Sequence, residues 1–140
     1  MLSVIVDAQG AEDRLAGLFA ALTPAAVEGL VREVLVAEAV DALCQDMGAE
    51  AAGDLVQAVA RAKSDWILVL PAAIRFRNGW VERLADHLAA GPSEALLLGD
   101  RSGGFLQRRL SGVLVRRSAA SGLAALEALR KQVSDRVRLD

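Results

Sequence analysis

The stretch Trp66-Ile67-Leu68-Val69-Leu70, bounded by Ser64-Asp65 before it and Pro71 after it, decides the fold. A strand with one face in water alternates apolar and polar residues. This one is apolar on both faces, as a strand is when layers cover it on each side. Working outward, Gly53-Asp54 opens a helix immediately upstream. Leu55, Val56, Val59 and Ala60 form its inner face, and Arg61 and Lys63 lie near its end, where cations suit the helix dipole. Two earlier runs, Leu2 to Val6 and Leu30 to Ala37, are also short, apolar and rich in β-branched residues, so both read as buried strands. Between them Leu15, Leu18, Phe19 and Leu22 recur at helical spacing from Ala11 onward, with Glu12 and Asp13 in the first turn, and Thr23-Pro24 closes the helix.

The same alternation continues. Asp41 to Met47 reads as a short helix ended by Gly48. Gly79 to Ala90 reads as a longer one, with Trp80, Val81, Leu84 and Leu88 inward and Gly91-Pro92 as its stop. Ala95 to Leu98 predicts a further strand, and Phe105–Gln107 and Gly112–Arg116 predict two short ones. Ser118 or Ser121 then caps a last helix through Val133, with Leu123, Leu126, Leu129 and Val133 on one stripe. Buried strands alternating with helices predict an α/β fold: three layers, with a mostly parallel sheet flanked by helices. At 140 residues the chain has the size of one domain, 1–140, without an interior boundary.

Composition narrows the function. Hydrophobic residues make up 54% and charged residues 24%, which excludes disorder as the main state, and three Phe with two Trp leave few platforms for stacking bases. The net charge of −2 argues against nucleic-acid binding. Its distribution is lopsided: residues 1–100 carry fifteen acids and seven bases, whereas residues 101–140 carry nine bases and three acids. That asymmetry suits an anionic partner, or a tail drawn onto its own acidic body. The single cysteine, Cys44, forms no internal disulfide, and the start Met1-Leu2-Ser3-Val4 has no basic leader, so a cytoplasmic location is expected. No apolar run approaches the roughly 18 residues of a membrane span.

Familiar α/β sites are excluded by missing residues. The turn after Val6 offers only Gly10, not G-x-G-x-x-G, and the chain contains neither G-x-x-x-x-G-K-[ST] nor G-x-S-x-G. Cys44 and His87 both fall inside helical patterns, and zinc needs three or four ligands that this chain cannot assemble. Strand ends remain, because open α/β sheets bind ligands at the carboxyl ends of their strands. The candidates there are Asp7, Glu38 and the segment Pro71-Ala72-Ala73. Asp7 and Glu38 are acceptors suited to a base or ribose hydroxyl, and equally ordinary turn and helix-start residues.

Taken in order, Ser3-Val4-Ile5-Val6, Glu12-Asp13-Arg14-Leu15 and Val31-Arg32-Glu33-Val34-Leu35-Val36 resemble the opening of a family 2 glycosyltransferase. That family has the GT-A fold of the nucleotide-diphospho-sugar transferases. The resemblance continues through the helix and strand Ala58 to Leu70 and through Asn78-Gly79-Trp80, and more loosely through Gly112 to Ser118. It implies a nucleotide-sugar-binding half over residues 2–90 and a shortened remainder, 91–140, ending in a basic helix.

The departures bear on activity. The family's D-x-D carboxylates hold a divalent cation against the donor diphosphate, and those places hold Pro71 and Ala73. No divalent cation is therefore expected, and no catalytic residue is assigned. Arg75 and Arg77, just beyond, either stand in for the cation by pairing with phosphate or flank a solvated turn at Phe76. The leading expectation is a short, degenerate family member without metal-dependent sugar transfer. It would hold a nucleotide or nucleotide sugar weakly through Asp7, Glu38, Arg75 and Arg77, or serve as an interaction module. The alternatives are a transferase that is metal-independent or completed by a partner, and a purely structural subunit pairing with itself or another protein through its C-terminal segment.

Overall fold

The computed structural model describes residues 1–8, 11–38, 48–101, 109–122, 126–133 and 137–139. The expected helix at 41–47 and strand at 105–107 lie outside them, as do Cys44 and Leu123.

Strand β1 (Leu2–Asp7) is the middle of the parallel half, buried from Leu2 to Val6 as its apolar run requires. A 3-10 turn at Glu12–Arg14 leads into α1 (Leu15–Val27), which buries Leu15, Leu18, Leu22 and Ala25. The stop expected at Thr23-Pro24 is corrected: Pro24 lies inside the helix. It removes one backbone donor on an exposed face, where water satisfies the freed carbonyl, and the Thr23 hydroxyl donates to the Phe19 carbonyl at 3.2 Å. The helix runs on until Gly29 turns the chain at a φ of 78°.

Strands β2 (Val31–Ala37) and the two-residue β3 (Glu50–Ala51) follow, then α2 (Leu55–Arg61). Helix α2 starts on a complete capping box: the Asp54 carboxylate accepts from the Gln57 amide at 2.8 Å, and the Gln57 side chain accepts from the Asp54 amide at 2.9 Å. The deciding stretch forms β4 (Trp66–Pro71). Beyond it come β5 (Ile74–Phe76), α3 (Trp80–Ala89), β6 (Ala95–Arg101), β7 (Arg109–Arg116), the single turn α4 (Arg117–Ala120), α5 (Leu126–Val133) and β8 (Val137–Leu139). Strands β3, β5 and β8 went unread in the sequence because two or three residues carry no periodicity.

The eight strands form one sheet in the order β3-β2-β1-β4-β7-β6-β5, with β8 also on β6. The sheet is mixed: the expected parallel pairing holds on one side, and antiparallel pairing is added on the other. β1 pairs in parallel with β2 and β4, β2 with β3, and β6 with β8. The β4–β7, β6–β7 and β5–β6 pairs are antiparallel. The reason is chain length. A parallel return needs a crossover of about a dozen residues or more, and only residues 102–108 separate β6 from β7, so β7 reverses and lies between β4 and β6.

Helices cover both faces. Val4, Val6, Leu68 and Leu70 face α1 and α3 with Leu18, Leu22 and Leu84. Ile5, Ile67 and Val69 face α2 and α5 with Leu55, Val59, Leu126 and Leu129. The alternation along β1 and β4 is the pleat dividing one apolar run between two cores. At the amino ends of these strands Glu33 accepts from the Ser3 hydroxyl at 2.6 Å and from the Lys63 amide at 2.7 Å. That clasp pins β1, β2 and the entry to β4 together and leaves the opposite, carboxyl ends of these strands to carry the site.

Candidate functional site

The chain leaves β1 over α1 to β2, then returns across β1 to pair β4 on its other side. The point where the order reverses, at the carboxyl ends of β1 and β4, is where an open α/β sheet leaves a crevice. A cleft of about 310 Å³ occupies it, lined by Asp7, Ala11, Pro71 to Ala73, Arg101, Leu110, Leu126, Glu127 and Arg130. Asp7 and Pro71 are register neighbours, and the Ala72 amide donates to the Asp7 carbonyl at 3.1 Å.

Two arginines from the basic C-terminal forty residues enter this cleft. Arg101 ends β6 and is exposed, and its side chain has no hydrogen-bond or ion-pair partner among the described residues. Arg130 comes from α5 and is held firmly. Its Nε and Nη2 donate to the Ser111 carbonyl at 3.1 and 2.9 Å, and its Nη1 pairs with Glu127. The side chain keeps only 19% of its surface exposed, so its charge stays in place.

Of the residues expected at the site, Asp7 lines this cleft and is half-buried. Glu38 follows the residue paired with Asp7 but is exposed, with a φ of 62°, and its amide donates to the Gly53 carbonyl at 2.8 Å. It does not line the cleft. Arg75 and Arg77 do not line it either. They border a separate, larger cleft of about 650 Å³ between α1, β5 and the start of α3, where Arg77 pairs with Asp100 at 3.5 Å. Among the described residues, the cations beside Pro71 and Ala73 are therefore Arg101 and Arg130, which sequence reasoning did not single out. Their one signal was the charge asymmetry. Other tail arginines are spent on the body: Arg116 lies over the Trp66 ring at 4.9 Å, and Arg117 donates to the Ala62 carbonyl at 2.6 Å.

The donor set does not fit a divalent cation. Magnesium and calcium take six or more oxygen ligands, whereas among the described residues the carboxylates of this cleft are Asp7 and Glu127, the latter paired with Arg130, beside two guanidiniums. Among the described residues no group of three or more His, Cys, Asp or Glu is arranged to hold a metal. His87 is spent locally, its Nε2 lying 2.8 Å from the Ser93 carbonyl. Among the described residues no helix is long and apolar enough to cross a membrane. Chemically, the cleft offers a fixed cation, an exposed cation and an acidic acceptor at a sheet crevice, a set suited to an anionic ligand that also carries hydroxyl donors. Compared with known protein families and with curated proteins, the sequence matches none.

Proposed function

We propose that this protein is a degenerate relative of the GT-A glycosyltransferases that binds a nucleoside diphosphate or nucleotide sugar without a metal and does not carry out metal-dependent transfer. The observation that carries this reading is that Arg101 and Arg130 share one cleft with Asp7, Pro71 and Ala73. The resemblance over residues 2–90 and the parallel β3-β2-β1-β4 order around the crevice add to it.

A diphosphate in this crevice needs positive charge. Arg101, unpaired among the described residues, offers its guanidinium to two phosphate oxygens at once, and Arg130 adds a fixed charge behind it. Asp7 accepts from a ribose hydroxyl or a base N–H. Charge-assisted hydrogen bonds contribute about 1.5–3 kcal/mol each, so one arginine accounts for roughly a ten- to hundredfold change in affinity. Two arginines without a metal support weak binding, on the order of 0.1–1 mM.

Calorimetry with uridine diphosphate, in EDTA and then in Mn²⁺, tests the proposal. The expected result is weak binding that EDTA leaves intact and that Arg101→Gln reduces about tenfold. Binding that requires Mn²⁺ overturns the metal-free reading. Absence of binding by any nucleoside diphosphate overturns the nucleotide reading and favours a structural subunit.

A further inference from the structure

The larger cleft, about 650 Å³, lies outside the strand-end site and, among the described residues, shares with it only Ala72. Its size falls within the range of small-molecule pockets, roughly 300–1,000 Å³. We infer that it is a second ligand site, for a small organic anion with a flat apolar body.

The apolar part of the argument starts from β5 and α3. Phe76 and Trp80 stack with ring centroids 4.0 Å apart and planes 16° from parallel, forming a stiff wall of the cleft. Leu18 and Ile74 line it as well, both buried residues of the α1-side core. A flat apolar group set against such a wall gains the area it removes from water without any side chain having to be ordered first.

Gly17 also lines the cleft. This glycine lies within α1, where glycine costs about 0.5–1 kcal/mol relative to alanine, and a Cβ built on it meets nothing within 4 Å. Neither backbone conformation nor crowding requires a glycine there. What its missing side chain provides is room in the cleft it borders.

The charge follows from pairing. Arg14 pairs with its neighbour Asp13 at 3.5 Å, and Arg77 pairs with Asp100 at 3.5 Å. Arg75 is exposed at the cleft and has no partner among the described residues. The acid at the rim, Glu82, lies in the first turn of α3, where the helix dipole already favours a negative charge. Arg75, opposite Asp100 in the β5–β6 register, is thus the exposed guanidinium at the cleft without an ion pair among the described residues, and the group offered to a ligand's anion.

The test uses 8-anilinonaphthalene-1-sulfonate, a flat aromatic anion whose fluorescence reports transfer from water. Three substitutions in the full chain locate it: Arg75→Glu, Gly17→Leu, and Val27→Glu as a control. Val27 is 79% exposed and lines a separate apolar groove. Saturable one-to-one binding is expected, weakened at least tenfold by Arg75→Glu and by Gly17→Leu and unchanged by Val27→Glu. Gly17→Leu should leave the melting temperature equal or higher, so its effect on binding is not an effect on folding. Saturating uridine diphosphate should leave the dye bound, which keeps this test independent of the strand-end proposal. Non-saturable binding, binding indifferent to both cleft substitutions, or binding removed by Val27→Glu overturns the inference.

Discussion

The two halves of the sheet are built on different principles. In the parallel half, β1, β2 and β4 are joined over helices. β1 and β4 are buried on both sides, β2 only from Leu35 to Ala37, and the clasp of Ser3, Glu33 and Lys63 closes the amino ends. In the other half β5, β6 and β7 run antiparallel, β8 adds to β6, and the cover comes from α3 on one face and α5 on the other. The first half carries most of the acids and shapes the crevice. The second half carries the excess of arginine and places Arg101 and Arg130 in that crevice. Neither half holds the candidate site alone, so integrity of the β4–β7 seam and the docking of α5 should govern both stability and binding.

The most severe way to break the comparison is to remove the late cover. A chain stopped after Ser118 loses Leu126, Leu129 and Leu139, all buried. Each is worth about 1.5–3 kcal/mol, against a total stability of about 5–15 kcal/mol for a typical domain. The whole sheet should lose cooperative melting by circular dichroism. A truncated chain that kept its melting temperature would show that the parallel half stands alone.

Next in size is the seam itself. A Cβ at Gly112 would sit 2.5 Å from Leu70 Cδ2 and 3.3 Å from the Val69 carbonyl oxygen. Gly112→Val should therefore cost about 1–3 kcal/mol or more by urea denaturation, and weaken uridine diphosphate binding with it. Stability unchanged by that substitution would mean that the two halves slide freely past each other.

A smaller effect is expected inside the parallel half. Asp54→Ala removes one arm of the capping box on α2. It should cost about 1 kcal/mol without altering nucleotide affinity, since no residue of α2 lines the strand-end cleft. Smallest is Glu50→Gln, which breaks the ion pair with Arg61 on the same half. Both side chains are about half exposed, so the loss should be about 0.2–1 kcal/mol and should fade with added salt.

How much of this was legible before folding differs between the halves in the same way. The runs at residues 2–6, 30–37 and 66–70 fall in the observed strands to within a residue or so, because β-branched apolar runs and the caps around them are local properties. Pro24 was misjudged because a proline facing water costs a helix less than one whose freed carbonyl is buried. Of the apolar stripe read for the last helix, Leu126 and Leu129 are buried on the sheet. At the site, Asp7 was found because a strand end is visible in a sequence. Arg101 and Arg130 were not found. Nothing in Arg101 or its neighbours distinguishes it from Arg75, and which of them reaches Pro71 depends on where β6 and α5 dock.

From the residues alone follow the α/β class, most of the helices, the missing carboxylates between Pro71 and Asn78, and the charge imbalance between the ends of the chain. Each is a matter of periodicity, capping or composition, and those act over a few neighbouring residues. The insertion of β7 between β4 and β6, the added strands β5 and β8, and the meeting of Arg101 and Arg130 with Asp7 arise from pairings between residues far apart in the chain. Such pairings depend on which edges and faces remain available once the parallel half has formed, and no local pattern encodes that.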